Sequence, residues 1–295
     1  MRHPGELAVQ ARAGVRLGDH GSAGVRADIP GVAADFVAAQ PMLVAGAADQ
    51  DGRVWAGLLT GAPGFARATG PRELVVDAVP AEPLDGLFED ERDIGLLAID
   101  PATRRRMRVN GRAWRHGGRL LVRTEQVYSN CPKYLQQREI AGPPGPAERT
   151  ARAGDALTDA QRAWVEGADT FFVATFAEGL GADVSHRGGA PGFVETTGGR
   201  RLVWPDYVGN SMYMTLGNLE LNPAAGLLFL DWETGDALHV TGRARVGWDP
   251  RDVPGAQRLV EFDVDEVLHV TGTGAPRWAF VAPSRFNPPV RSAPR

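Results

Sequence analysis

Ser185, His186 and Arg187 stand in a row immediately before Gly188 and Gly189. A hydroxyl, an imidazole and a guanidinium in a glycine-rich loop are the ingredients of an anion site. Arginine grips phosphate with a planar fork, and glycine lets backbone N–H groups approach it. A second set lies downstream. Asn210 and Ser211 precede a helix-like segment, 212–220, and side-chain donors beside a helix N-terminus form a common phosphate receptor. Trp204 and Tyr207 lie close by, able either to flank a planar ring or to fill a core. A third set is Cys131, Lys133 and Tyr134. Cys131 is the sole cysteine and Lys133 the sole lysine among 32 basic residues. A thiol near an ammonium has its reactive thiolate favoured. A chemical and a structural cysteine are both open readings, and Lys133 or Tyr134 could instead hydrogen-bond a ligand.

The elements that must position these residues are written twice. Gly-Ala-Pro-Gly-Phe occurs at 61–65 and again at 189–193. At a shift of 128, residues 30–77 lie on 158–205 without a gap, and at a shift of 131 Gly95-Leu96-Leu97 and Gly111-Arg112-Ala113 fall on identical residues of the second copy. A period this long reads as a duplicated domain. Each copy reads as a short helix (30–39 and 159–166, the latter with Thr158 as N-cap), then strands. These are 42–47, 54–59, 73–79, 95–99, 107–114 and 119–123 in the first copy. In the second they are 170–176, 182–186, 201–205, 226–230, 237–246 and 257–264. Many short strands with Gly/Pro turns argue for a mainly β barrel or sandwich. The expected division is an N-terminal extension 1–28, a first domain 29–140, a Pro/Gly-rich linker 141–157, a second domain 158–286 and a tail 287–295. A helix over 6–16 is expected to pack on the first barrel.

The copies differ where the chemistry lies. Ser185-His186-Arg187 face Gly57-Leu58-Leu59 of the first copy, and Asn210-Ser211 face an acidic stretch at 85–93. The second copy therefore keeps the equipment for a phosphate, which predicts one ligand per chain.

Composition narrows the classes. The 295 residues are 43% hydrophobic and 23% charged, with a net charge of −4. That is the balance of a soluble globular chain. No basic run approaches a nucleic-acid footprint, no apolar run is long enough for a bilayer, and the N-terminus has no signal-like core, so a cytoplasmic protein is expected. One cysteine excludes an intrachain disulfide and a multi-cysteine metal site, and no metal is expected.

Ser185-His186-Arg187-Gly188-Gly189-Ala190-Pro191-Gly192-Phe193, Trp204-Pro205-Asp206-Tyr207-Val208-Gly209-Asn210, Thr215-Leu216-Gly217-Asn218-Leu219 and Thr241-Gly242-Arg243-Ala244 together resemble the pyridoxamine 5′-phosphate oxidase-like family of FMN-binding split barrels. The resemblance is strong over 169–246 and weaker, through the repeat, over 40–114. It implies a split β-barrel, FMN as cofactor and flavin-dependent oxidoreductase chemistry on a small molecule. In the family the site lies between the barrels of a homodimer. Here the two tandem barrels would form an intrachain pseudo-dimer, as a monomer or a further homodimer. The implied cofactor residues are Ser185, His186, Arg187, Gly189, Phe193, Trp204, Pro205, Asp206, Asn210, Ser211, Thr215 and Asn218. Cys131, Lys133 and Tyr134 would face them from the first copy. Where pyridoxamine phosphate oxidases place Arg and Lys after the third strand this chain has Asn210 and Ser211, and their substrate Arg/His pattern is missing from 278–287. Vitamin B6 oxidation is therefore not implied. A non-catalytic flavin or haem carrier, or a deazaflavin reductase, are the alternatives.

Overall fold

The computed structural model describes residues 3–15, 24–145 and 148–290. Helix α1 (Pro4–Arg12) comes first. The first repeat then holds α2 (Gly31–Ala38), β1 (Met42–Ala48), β2 (Val54–Thr60), β3 (Ala66–Gly70), β4 (Glu73–Val76), β5 (Arg92–Asp100), β6 (Arg105–His116) and β7 (Arg119–Ser129). β8 (Gln137–Gly142) and β9 (Thr150–Gly154) follow. The second repeat holds α3 (Asp159–Gly167), β10 (Thr170–Ala177), β11 (Gly181–Gly188), β12 (Glu195–Thr197), β13 (Arg201–Tyr207), α4 (Met214–Leu221), β14 (Ala224–Leu230), β15 (Ala237–Gly247) and β16 (Ala256–Thr271), and β17 (Arg277–Ala282) ends the list.

The fold is mainly β, with two antiparallel sheets of the same order. One runs β2-β1-β5-β6-β7-β4-β3 and the other β11-β10-β14-β15-β16-β13-β12, which match strand for strand under the repeat. Each sheet closes around its own core, centred on Leu43, Leu59, Leu74 and Leu96 in the first and on Phe171, Trp204, Phe229 and Phe262 in the second. β1 and β14 are buried at every position, so they do not alternate. One face fills a barrel and the other the seam between barrels. That seam is a third apolar cluster containing Val44, Ala56, Leu97, Phe172, Val184 and Leu228. Burying a side chain of this size contributes about 1.5–3 kcal/mol, so the two barrels hold together strongly.

Glycines set the closeness of the seam. A Cβ on Gly95 would lie 2.7 Å from the Asp183 Cα, and one on its repeat counterpart Gly226 would lie 2.7 Å from the Cα of Trp55, the counterpart of Asp183. Gly46 faces Ala174, its own counterpart, so the pseudo-two-fold axis passes between them. The repeated pentapeptide is a turn in both copies. Gly64 and Gly192 take left-handed φ of 94° and 89°, which suits glycine, and Gly61 and Gly189 have no side chain where the rings of Phe65 and Phe193 fold back.

Helix α3 begins as expected, with a capping box between Thr158 and Gln161. Other expectations change. The N-terminal helix packs on α4 of the second barrel, not on the first, because Gly5 and Gly217 let the two backbones meet and Gln10 donates to the carbonyls of Ser211 and Met212. Arg16, the expected end of that helix, lies outside the described residues. The third strand of each copy has a short partner, β3 or β12, that the glycine-rich turns hid. The segment 141–157 is not free of structure: it carries β9, paired with β16, while β8 and β17 pair with each other. No helix among the described residues is long and apolar enough to cross a membrane.

Candidate functional site

On one side of the seam, β11 of the second barrel faces β6 of the first, and a cleft opens above them. Its walls include Arg106 and Arg108 on β6, His186, Arg187 and Gly188 on β11, and Pro205, Asp206 and Tyr207 on β13, with Asn130, Cys131, Lys133 and Tyr134 from the segment after β7. A second lobe shares Arg108, Arg187, Asp206 and Asn210 and reaches Ser185, Ser211 and the first turn of α4 at Met214, Thr215 and Leu216.

Backbone geometry opens the helix end to this lobe. Ser211 and Tyr213 both adopt left-handed φ, 59° and 60°, and α4 has no side-chain cap. Two non-glycine residues in this region cost conformational energy, and such outliers cluster at ligand sites. The helix therefore presents uncapped N–H groups, with the positive end of its dipole, toward the cleft.

The side chains beneath are tied across the two barrels. Arg108 donates to Asp183 at 3.0 Å and to the Tyr128 hydroxyl at 2.9 Å, and it also bonds Ser185 Oγ. Ser185 and Thr215 share a hydrogen bond of 2.8 Å. Arg106 donates to the Cys131 carbonyl and to His186 Nδ1, each at 2.5 Å. A guanidinium can only donate, so Nδ1 accepts and the neutral ring carries its proton on Nε2. That Nε2, on a residue 5% exposed, has no hydrogen-bond partner among the described residues, and neither does Nε of Arg106, Arg108 or Arg187. Buried donors without acceptors are costly, and several on residues that line one cleft mark a ligand site.

The charges agree. Burial, with Arg108 and Arg187 close by, lowers the Arg106 guanidinium to about 9. Burial, then Arg106 and Arg187, holds His186 well below its usual value. Burial lowers Arg187 despite Asp206, and burial raises Asp206 despite Arg187 and Arg258. Burial, with Tyr134 beside it, pushes Tyr207 to about 12. The cleft thus crowds like charges in a dry setting, which an entering anion relieves. No group of acidic, histidine or cysteine side chains that could hold a metal exists among the described residues.

Most residues singled out in the sequence come together here: Cys131, Lys133, Tyr134, His186, Arg187, Phe193, Pro205, Asp206 and Asn210 in one lobe, and Ser185, Ser211 and Thr215 in the other. Three lie elsewhere. Trp204 is 1% exposed and meets Phe171 edge-on and Phe262 at a tilt inside the barrel, because β13 turns that side of the strand to the core. Asn218 is one turn further along α4 and donates to Thr175. Gly189 belongs to the pentapeptide turn and gives its carbonyl to Gln136. Arg106 and Arg108 are the residues that sequence reasoning missed. They stand in Arg104-Arg105-Arg106-Met107-Arg108, a run of charge that by itself carries no site signal. The available signal was the repeat: their counterparts are Ala237 and His239, so the arginines are an asymmetry of the first copy.

Residues 157–269 match the family model of pyridoxamine 5′-phosphate oxidase. The second barrel is thus similar to the pyridoxamine 5′-phosphate oxidase-like split-barrel family. No curated protein matches the chain. Among solved structures, HupZ of Group A Streptococcus is similar at 13% identity, covering 41% of this chain and 98% of HupZ with a TM-score of 0.32. An FMN-binding protein from Syntrophomonas wolfei is similar at 11% identity, covering 37% of this chain and 83% of that one, TM-score 0.28. A FAD-binding protein from Mesorhizobium loti is similar at 13%, covering 41% and 98%, TM-score 0.28.

Proposed function

We propose that this protein is an FMN-dependent oxidoreductase acting on a small molecule in the cleft between its two barrels. The observation that carries the reading is the set of buried, unpartnered donors on Arg106, Arg108, Arg187 and His186 around a cleft that also meets the uncapped end of α4. Of this set, Arg108 and Arg187 reach the lobe at the helix end and fit a phosphate there. The family match of the second barrel supports a flavin as the molecule that bears it. Arg187 and Arg108, Ser211 and the first turn of α4 would hold the phosphate, with Ser185 and Thr215 fixing Arg108 from beneath. Phe193, Pro205 and Tyr207 would give the ring an apolar wall. FMN, when bound, accepts or delivers a hydride equivalent.

The chain's own residues orient the reactants and keep water out. Tyr134 donates its hydroxyl to the Val208 carbonyl at 3.1 Å, and its ring lies 5.1 Å from that of Tyr207. These contacts tie the 130–134 segment of the first barrel to the rim of the second. Cys131 and Lys133 thereby face the reacting side. By pseudo-symmetry a second cleft would lie beyond β2 and β15. There Leu58 and Leu59 replace His186 and Arg187, Leu84 packs on Gly57, and His239 gives its Nδ1 to the Ala56 carbonyl. One flavin per chain is expected.

The test is titration of the purified full-length chain with FMN, followed by flavin absorbance and fluorescence. Saturable binding is expected, with bleaching by a nicotinamide donor and reoxidation by an electron acceptor. A chain that does not bind FMN overturns the reading. Binding without any reduction by a nicotinamide donor makes the protein a carrier.

A further inference from the structure

The cations of the cleft divide into two groups. Arg108 faces Asp183, while Arg187 and Arg258 share Asp206 at 3.9 and 3.1 Å. Arg108, Arg187 and Asp206 line both lobes of the cleft and are the cations and carboxylate that reach the lobe at α4. Arg106 and Lys133 are different: neither forms an ion pair with a carboxylate among the described residues. The Arg106 guanidinium spends its terminal nitrogens on His186 Nδ1 and the Cys131 carbonyl, both neutral, and leaves Nε unpartnered and buried. The Lys133 ammonium lies 5.8 Å from the Phe286 ring centroid. Both line the lobe that the 130–134 segment covers, and His186 Nε2 is a third free donor on its wall.

A partly buried guanidinium with a buried, unpartnered Nε and only neutral acceptors is an expensive arrangement unless an anion completes it. The cofactor phosphate, if held at the α4 lobe, is not that anion. We infer that the cleft holds a second oxyanion beside the cofactor phosphate, and that the substrate is an acidic small molecule whose oxyanion is gripped by Arg106, Lys133 and His186 Nε2. This inference rests on the flavin reading for its location. It goes further by naming the substrate class and by assigning its recognition to the first barrel, the copy that lacks the phosphate equipment. Arg106 sets the direction of approach, since its fork is held rigid by the Cys131 carbonyl and the His186 ring, while Lys133 adds a mobile charge.

The experiment uses sulfate as the probe on the full-length chain, with chloride at matched ionic strength as the reference. Thermal unfolding is followed with and without saturating FMN, and FMN affinity is measured separately by fluorescence. In the FMN-loaded protein sulfate should raise the unfolding midpoint progressively with its concentration. Arg106→Gln should weaken that sulfate response by about tenfold or more in apparent affinity, as expected for losing a charge-assisted contact. The same variant should change FMN affinity much less than Arg187→Gln does. Lys133→Gln, at a half-buried position outside the strands, should weaken sulfate in the same direction. An FMN-loaded chain indifferent to sulfate overturns the inference, as does an Arg106→Gln variant with an unchanged sulfate response. A loss of FMN affinity in Arg106→Gln equal to that in Arg187→Gln also overturns it, since the two lobes would then be one site. If FMN does not bind at all the flavin reading fails. The unloaded chain then still reports whether Arg106 holds an oxyanion.

Discussion

Arg106 of the first barrel donates to Nδ1 of His186 of the second at 2.5 Å, across the seam that joins the two repeats. The contact fixes the imidazole tautomer and leaves Nε2–H buried and without a partner among the described residues, on a ring that lines the cleft. It also keeps the ring uncharged, since burial and then the Arg106 charge both oppose protonation. Replacing Arg106 with Ala should move the His186 titration upward and free the Nδ1 tautomer. Imidazole NMR across pH reads both. A titration unchanged by the substitution would show that Arg106 does not govern this ring.

Stability should fall on acidification, and the sign follows from buried neutral histidines. His239 is held down to about 4 by burial, against a usual value of 6.5, with its Nδ1 on the Ala56 carbonyl. His186 is displaced in the same direction. Below pH 6.5 the unfolded chain takes up protons that the folded chain refuses, so stability present above that pH is lost as pH drops toward the folded value. For His239 alone the loss by pH 5 is about 2 kcal/mol, at 1.36 kcal/mol per pH unit. Urea unfolding at pH 7.5 and pH 5 should show this loss in the native chain and a smaller one in His239→Gln. Equal losses in both would remove His239 from the account.

The asymmetry of the two copies makes a stoichiometric claim. Arg187 occupies the place that Leu59 holds in the first repeat. FMN titration should therefore saturate at one per chain. Arg187→Ala should weaken binding by about tenfold to a hundredfold, the worth of a charge-assisted hydrogen bond, without loss of the folded far-UV spectrum. Two equivalents bound, or unchanged affinity in the variant, would count against the assignment.

How much of this was legible in the residues varies by element. The doubled pentapeptide and its flanks revealed two copies of one fold because the glycine and phenylalanine in it have no substitute: a Cβ at Gly61 or Gly189 would lie 2.5 Å from the returning ring. Ser185, Arg187 and Asn210 were readable as a site because their types are out of place in a strand end and absent from the sister copy. Arg106 and Arg108 were not, since a strand alternating arginine with Met107 looks the same whether its polar face meets water or another barrel. Only the packing of β6 against β11 across the seam decides that, and no local pattern encodes it. The docking of α1 was hidden for the same reason. Gly5 and Gly217 are ordinary glycines until the two helices are brought together. Trp204 was ambiguous because one strand position can serve the core or the rim, and here it joins Leu202 in the core of the second barrel.

Cys131 provides a built-in reporter. It is the single cysteine of the chain, half-buried and on the wall of the cleft, so any thiol signal comes from this one position. Its carbonyl is engaged by Arg106, which holds the backbone of the segment in place while leaving the sulfur free. Ligands entering the cleft should therefore shield it. Labelling with a maleimide or iodoacetamide should slow at least about fivefold at saturating FMN, because reaction requires access as well as thiolate character. Cys131→Ser should retain FMN affinity, since the serine keeps the backbone carbonyl that orients Arg106. If the thiol acts on the substrate, that variant should lose turnover while its flavin still binds. Labelling at the same rate with and without FMN would place Cys131 outside the occupied cleft, and with it the catalytic role proposed for the 131–134 segment.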